Sequence, residues 1–172
     1  MDKTKMPVIS IVGRAKTGKT TFIEKLIPVL MDKGIKVAVI KHHLHDFEFD
    51  ILGKDTYRHK KAGAKTVILS SPSKIAMVKD TEKDLSIEEI ISGYIDGIDL
   101  LITEGYKKED MPKIEVYPKK DDIGPVCIDD RNLAAIITDV PFTSRVPVFL
   151  RDNIDAVADF IMSILIPIRF QA

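Results

Sequence analysis

Eight residues constrain this chain more than any other feature. Gly13-Arg14-Ala15-Lys16-Thr17-Gly18-Lys19-Thr20 matches the pattern G-x-x-x-x-G-K-[ST] at every fixed position. Val8 to Val12 precedes it as a short β-rich apolar run. Thr20 to Lys33 follows, with Phe22, Ile23, Leu26, Ile27 and Leu30 recurring at helical spacing. Strand, glycine-bearing loop and helix form the setting in which this motif binds phosphate. Consecutive loop N–H groups turn inward toward phosphate oxygens, and the helix adds its unpaired N–H groups and the positive end of its dipole. Lys19 then reaches the β- and γ-phosphates, and the Thr20 hydroxyl takes a place on Mg²⁺. The expected nucleotide contacts are Gly13, Arg14, Ala15, Lys16, Thr17, Gly18, Lys19, Thr20 and the adjoining Thr21. The bland alternative is a glycine turn before a helix with Lys19 in solvent.

Beyond the loop, short apolar runs alternate with helical periods. Gly34 stops the first helix and Lys36 to Lys41 resumes as a strand, completing a βαβ unit. Pro28 lies inside the helical pattern and predicts a kink or an irregular turn. A helix is expected over Lys54 to Ala62, and strands over Thr66 to Ser70 and Lys74 to Val78, with a turn at Pro72. Ser86 and Glu89 have capping-box spacing and open a helix that faces the sheet with Ile87, Ile90, Ile91 and Tyr94. Asp99 to Thr103 is almost wholly apolar, as a central parallel strand covered on both faces should be. Lys113 to Tyr117, Leu133 to Thr138 and Val146 to Leu150 are further strands, and Asp152 or Asn153 caps a last helix ending near Leu165. The fold expected is α/β: a mostly parallel sheet with helices on both faces, a Rossmann-like three-layer P-loop NTPase. The chain reads as a single nucleotide-binding domain over 1–172. The stretch 107–131, rich in charge and turn residues, fits least well and reads as a hairpin or surface excursion.

Composition narrows the partners. The chain has 172 residues, 45% of them hydrophobic, which is enough for one core without a disulfide or metal staple. Its single cysteine, Cys127, rules out an internal disulfide and favours a reducing compartment. Twenty-six basic residues balance 26 acidic ones, so no global field attracts nucleic acid. No apolar run approaches the ~18 residues of a membrane span. The N-terminus does not read as a signal peptide, and a cytoplasmic location is expected.

Three further segments carry candidate chemistry. Glu104 ends the apolar strand beside Gly105, where P-loop proteins place an acid that holds Mg²⁺ directly or through water. Asp99 is at the opposite end of the same strand, and ligands of parallel sheets gather at carboxyl ends, so Glu104 is favoured. Lys41-His42-His43-Leu44-His45-Asp46 follows the second strand and holds three of the four histidines. It suits either a transition-metal cluster or a set of polar donors over the phosphates. Asp46 and Asp50 are additional candidates for the Mg²⁺ shell. Asp139 follows the strand Ile136-Ile137-Thr138. A carboxylate there can accept the N1–H and N2–H donors of guanine together, a pair adenine does not offer, although a turn or capping role serves equally.

The P-loop, Ile40 to Asp46, Gly53-Lys54-Asp55-Thr56-Tyr57 leading to Ala62-Gly63-Ala64, Thr103-Glu104-Gly105-Tyr106-Lys107 and Thr138-Asp139-Val140-Pro141 occur in one order. Together they resemble the molybdopterin-guanine dinucleotide biosynthesis protein B family over most of the chain. The resemblance implies a homodimeric GTP-binding adapter with weak GTPase activity, acting beside the guanylyltransferase that joins GMP to molybdopterin. It also implies Glu104 in the Mg²⁺ region and Asp139 at guanine. Two departures are the basic loop interior Arg14-Ala15-Lys16-Thr17, and Ile51-Leu52 where a Lys-Pro pair is frequent before Gly53. Lys19 and Glu104 are the expected catalytic groups, and Thr20, Glu104 and Asp50 the expected metal ligands. The competing function is a nickel-type metal-insertion GTPase using His42, His43 and His45. A small-molecule kinase comes third, since no arginine-rich lid segment is evident.

Overall fold

The structure is a computed structural model that describes residues 6–43, 47–118 and 124–165. Its contacts divide into two compact units, one made of the residues up to His42 together with those from Ile91 onward, the other of His43–Ile90.

The first unit is built on a six-stranded sheet, and each strand matches an apolar run read above. The strands are β1 (Val8–Val12), β2 (Val37–Lys41), β5 (Leu100–Glu104), β6 (Lys113–Val116), β7 (Leu133–Thr138) and β8 (Val148–Leu150). They lie in the order β2-β5-β1-β6-β7-β8, and every neighbouring pair is parallel. All six carboxyl ends therefore reach the same edge, and β1, which feeds the P-loop, is central. In register, Ile11 of β1 pairs with Glu104, which pairs in turn with Lys41 of β2.

Helices α1 (Lys19–Asp32) and α4 (Ile154–Leu165) pack together against one core. Phe22, Leu26 and Leu30 of α1 meet Val157 and Ile161 of α4 over Ile9, Ile11, Leu100, Ile102, Ile114 and Ile137. These are the 3.6-period and period-2 apolar positions, so hydrophobic patterning alone sets the inward faces. A second cluster of Val12, Tyr117, Cys127, Leu133 and Ile136 is closed by Phe142, Val146 and Val148. Pro28 is accommodated within an unbroken α1.

The stretch 107–131 differs from a surface excursion in one respect that matters. Within it, β6 is a buried inner strand between β1 and β7. Its charged residues are neutralised internally. Lys113, whose side chain is 2% exposed, donates to Asp130 Oδ2 at 2.8 Å and to the Glu109 carbonyl at 2.7 Å. Glu115 accepts the Val126 and Cys127 amides at 2.7 and 2.8 Å. An unpaired buried charge would be expelled, and paired ones can be carried by a core strand.

The second unit contains α2 (Asp55–Lys61) and an antiparallel hairpin of β3 (Thr66–Ser71) and β4 (Lys74–Lys79). The two strands expected on either side of Pro72 are thus present, but they form their own two-stranded sheet. Helix α3 (Ile87–Tyr94) opens with the anticipated capping box: the Glu89 carboxylate accepts the Ser86 N–H at 2.8 Å, and the Ser86 hydroxyl accepts the Glu89 N–H at 3.2 Å. Ile87 and Ile91 are its buried positions, while Tyr94 is largely exposed. No described helix is long and apolar enough to cross a membrane.

Candidate functional site

The Gly13–Thr20 loop leaves the carboxyl end of β1 and closes into α1. Two of its residues must be glycine. At Gly13 (φ 140°) a Cβ would stand 2.5 Å from the Val116 carbonyl oxygen of β6, which is backbone and cannot yield. Gly18 holds φ 86° immediately before α1, in the left-handed region that side chains disfavour. Lys16 adopts φ 61° within the same turn, so the loop is wound tightly enough to strain a residue that has a side chain. The Thr17 hydroxyl donates to the Arg14 carbonyl at 3.0 Å and pins the bend.

Lys19 folds back over this loop. Its Nζ donates to the Arg14 carbonyl at 2.6 Å and to the Gly13 carbonyl at 3.3 Å. Burial pushes the ammonium below the usual lysine pKa. Glu104 opposes that shift, and the neighbouring Lys107 and Lys41 add to it. A partly desolvated cation hydrogen-bonded to carbonyl oxygens is a strong partner for an anion.

Glu104 ends β5 beside β1, as a strand-end acid should. The Thr20 hydroxyl donates to its Oε1 and Oε2 at 3.0 and 3.2 Å, and Lys41 Nζ lies 3.6 Å from Oε1. A hydroxyl and a carboxylate are hard oxygen donors, and together they fit a Mg²⁺ site that keeps several waters and phosphate oxygens. Beneath them, Thr103 donates to Ser10 at 3.0 Å and Ser10 donates to the Gly105 carbonyl at 2.6 Å. This buried relay couples β1 to the backbone just past Glu104. Gly105 turns the chain at φ 110°, a conformation that side chains disfavour, and the His42 ring stands 4.5 Å from that of Tyr106.

Asp139 lies at the end of β7, on the same sheet edge as the loop. It is engaged by Arg151, the first residue after β8. Arg151 Nε donates to Asp139 Oδ1 at 2.8 Å, and Nη1 donates to the Thr17 carbonyl at 3.0 Å. Sequence reasoning missed Arg151, although the strand-end rule that found Glu104 and Asp139 applies equally to β8. It missed the Ser10–Thr103 relay too, because hydroxyls inside apolar runs read as ordinary strand residues.

The structure thus brings Lys19, Thr20 and Glu104 together and links Asp139 to the loop through Arg151. Thr21 is exposed on the first turn of α1. Asp50 belongs to the second unit, where its Oδ1 accepts the Ile51 N–H at 2.8 Å. Asp99 accepts the Lys36 N–H at 3.0 Å at the far end of β5. His45 and Asp46 lie outside the described residues. Among the described residues, no three His, Cys, Asp or Glu side chains gather as a metal site.

Comparison with known proteins bears on the family and the fold. A family model described as molybdopterin guanine dinucleotide synthesis protein B matches residues 8–139. The molybdopterin-guanine dinucleotide biosynthesis adapter protein of Escherichia coli strain K12 is 34% identical over 166 residues, covering 93% of this chain and 94% of that protein. The protein of the same name from Haemophilus influenzae is 34% identical over 157 residues, covering 91% and 88%. A crystal structure of molybdopterin-guanine biosynthesis protein B superposes with a TM-score of 0.72 at 28% identity, covering 92% of this chain and 99% of that one. The crystal structure of the Bacillus subtilis homologue gives 0.72 at 25% identity, covering 92% and 97%.

Proposed function

Because the chain belongs to the molybdopterin guanine dinucleotide synthesis protein B family, we propose that it is a GTP-binding adapter in the biosynthesis of that cofactor. In this role it presents nucleotide to the guanylyltransferase that joins GMP to molybdopterin, in the cytoplasm. The relatives' names favour this role over nickel insertion.

The observation that carries the nucleotide part is the meeting of Thr20 and Glu104 next to Lys19 at the mouth of the Gly13–Thr20 loop. Loop amides and the α1 N-terminus bind the phosphates. Lys19 exchanges its carbonyl partners for β/γ-phosphate oxygens and so recovers the charge stabilisation lost on burial. Mg²⁺, when bound, neutralises phosphate charge, and Thr20 and Glu104 would hold it. Asp139 accepts the paired donors of guanine.

Slow hydrolysis belongs to the same reading. These groups neutralise charge, but a fast hydrolase also needs a group free to orient the attacking water. Glu104 is already committed to Thr20 and Lys41. Self-association finds support in the second unit, where the hairpin leaves Ile68, Leu69 and Ile75 at 53%, 61% and 72% exposure. Binding of GTP and ATP in competition at fixed Mg²⁺ tests the proposal: preference for GTP supports it, and indifference to the base contradicts it. Light scattering tests the homodimer.

A further inference from the structure

The two contacts of Arg151 join parts of the molecule that are far apart in the chain. One prong of the guanidinium is on Asp139 and another is on the Thr17 carbonyl, 134 residues away. The Arg151 backbone is itself fixed, since its N–H donates to the Thr138 carbonyl at 3.0 Å. The guanidinium runs over Gly18, where a Cβ would stand 2.5 Å from Nη1, so this glycine serves Arg151 as well as the backbone turn.

The pair is also unevenly covered. The Arg151 side chain is 19% exposed and that of Asp139 is 48% exposed. Arg151 therefore occupies the inner side of the carboxylate and leaves Asp139 open to an incoming group. Among the described residues Asp139 accepts a hydrogen bond from Arg151 at Oδ1, and a carboxylate has further lone pairs on both oxygens for an incoming donor pair. Two-point reading of a base requires the carboxylate plane to be set in advance. A planar guanidinium, with its donors in a rigid fork, can set it relative to a second fixed point.

We infer that Arg151 is a specificity-determining positioning residue, holding Asp139 in register with the phosphate-binding loop so that one nucleotide engages both. The inference rests on the proposed reading of Asp139 as the guanine acceptor. A strap that merely steadied the loop would act on every triphosphate alike. A residue that aims Asp139 acts on the choice of base.

The test measures GTP and ATP affinities of the full chain at fixed Mg²⁺ for the wild type, Arg151→Ala, Arg151→Lys, Asp139→Ala and the double alanine variant. Loss of one oriented pair corresponds to roughly ten-fold. Arg151→Ala should lower the GTP-over-ATP preference by about that factor. Arg151→Lys, whose ammonium reaches one partner at a time, should lower it too, and this variant serves if the alanine protein fails to fold. In the Asp139→Ala background, Arg151→Ala should change the preference no further. Equal losses for GTP and ATP, or an unchanged preference in both Arg151 variants, overturn the inference while leaving Asp139 in place. A wild type that does not prefer GTP overturns the Asp139 reading and this inference together.

Discussion

The Thr20 hydroxyl lies 3.0 and 3.2 Å from the two carboxylate oxygens of Glu104, although 84 residues separate them in the chain. Parallel pairing of β1 with β5 accounts for this meeting. Ile11 is in register with Glu104, so the loop that continues from β1 turns its hydroxyl toward the acid at the neighbouring strand end.

Glu104→Gln keeps the shape and the hydrogen bond from Thr20 but removes the charge. The Mg²⁺ concentration that half-saturates GTP binding should rise roughly 10- to 100-fold, as when a metal's supporting carboxylate is neutralised. Titrating Mg²⁺ at constant GTP measures this. The same Mg²⁺ midpoint in variant and wild type would place the metal elsewhere.

Asp139→Asn replaces one acceptor with a donor. Guanine presents a donor at its 2-position and xanthine an acceptor, so affinity should move from GTP toward xanthosine triphosphate. Competition binding reads the change. Weaker binding of both nucleotides with no gain for xanthine would deny Asp139 contact with the base.

Burial, helped by the nearby charges of Glu115 and Asp130, pushes the Cys127 thiol up to about 11 from 9.0. At pH 8 the folded protein should react with iodoacetamide far more slowly than the denatured chain. A pKa raised in the folded state means that the native protein holds its proton longer. The associated stability is complete below about pH 9 and is lost as pH rises toward about 11. Cys127→Ala should flatten the decline across that window, and an unchanged slope would assign alkaline unfolding to other groups.

Glu115→Ala leaves the Val126 and Cys127 amides without their acceptor in the core. The expected loss is about 1–3 kcal/mol in urea denaturation, from one buried and one partly buried donor left unsatisfied. A loss below about 1 kcal/mol would mean that water reaches both amides.

What could be read from sequence divides along physical lines. The strand ends at Val12 and Thr138, the capping box of Ser86 and Glu89, and the helical stripe of Phe22, Leu26 and Leu30 are local patterns, and they appear where expected. Lys113–Val116 was legible as a strand, but the stretch 107–131 around it read as a surface excursion, because its polarity answers to Asp130 and to the Val126 and Cys127 amides, which a window of neighbouring residues does not contain. Pairing of Thr66–Ser71 with Lys74–Lys79 as a separate hairpin is likewise a choice of partner, and alternation alone does not encode it. At the site, Lys19, Thr20 and Glu104 were legible because a fixed spacing or a strand end marks each one. Arg151 also follows a strand end, but its partners Asp139 and Thr17 become visible only when β8 is seen beside β7 and the loop.

Calorimetric titration of the wild type and of Lys19→Ala with GTP and Mg²⁺ tests the phosphate site most directly. The wild type should bind one GTP per chain, and the alanine variant should bind it at least about 100-fold more weakly, the equivalent of about 2.7 kcal/mol. Equal affinity in the two proteins would mean that the triphosphate binds somewhere other than the Gly13–Thr20 loop.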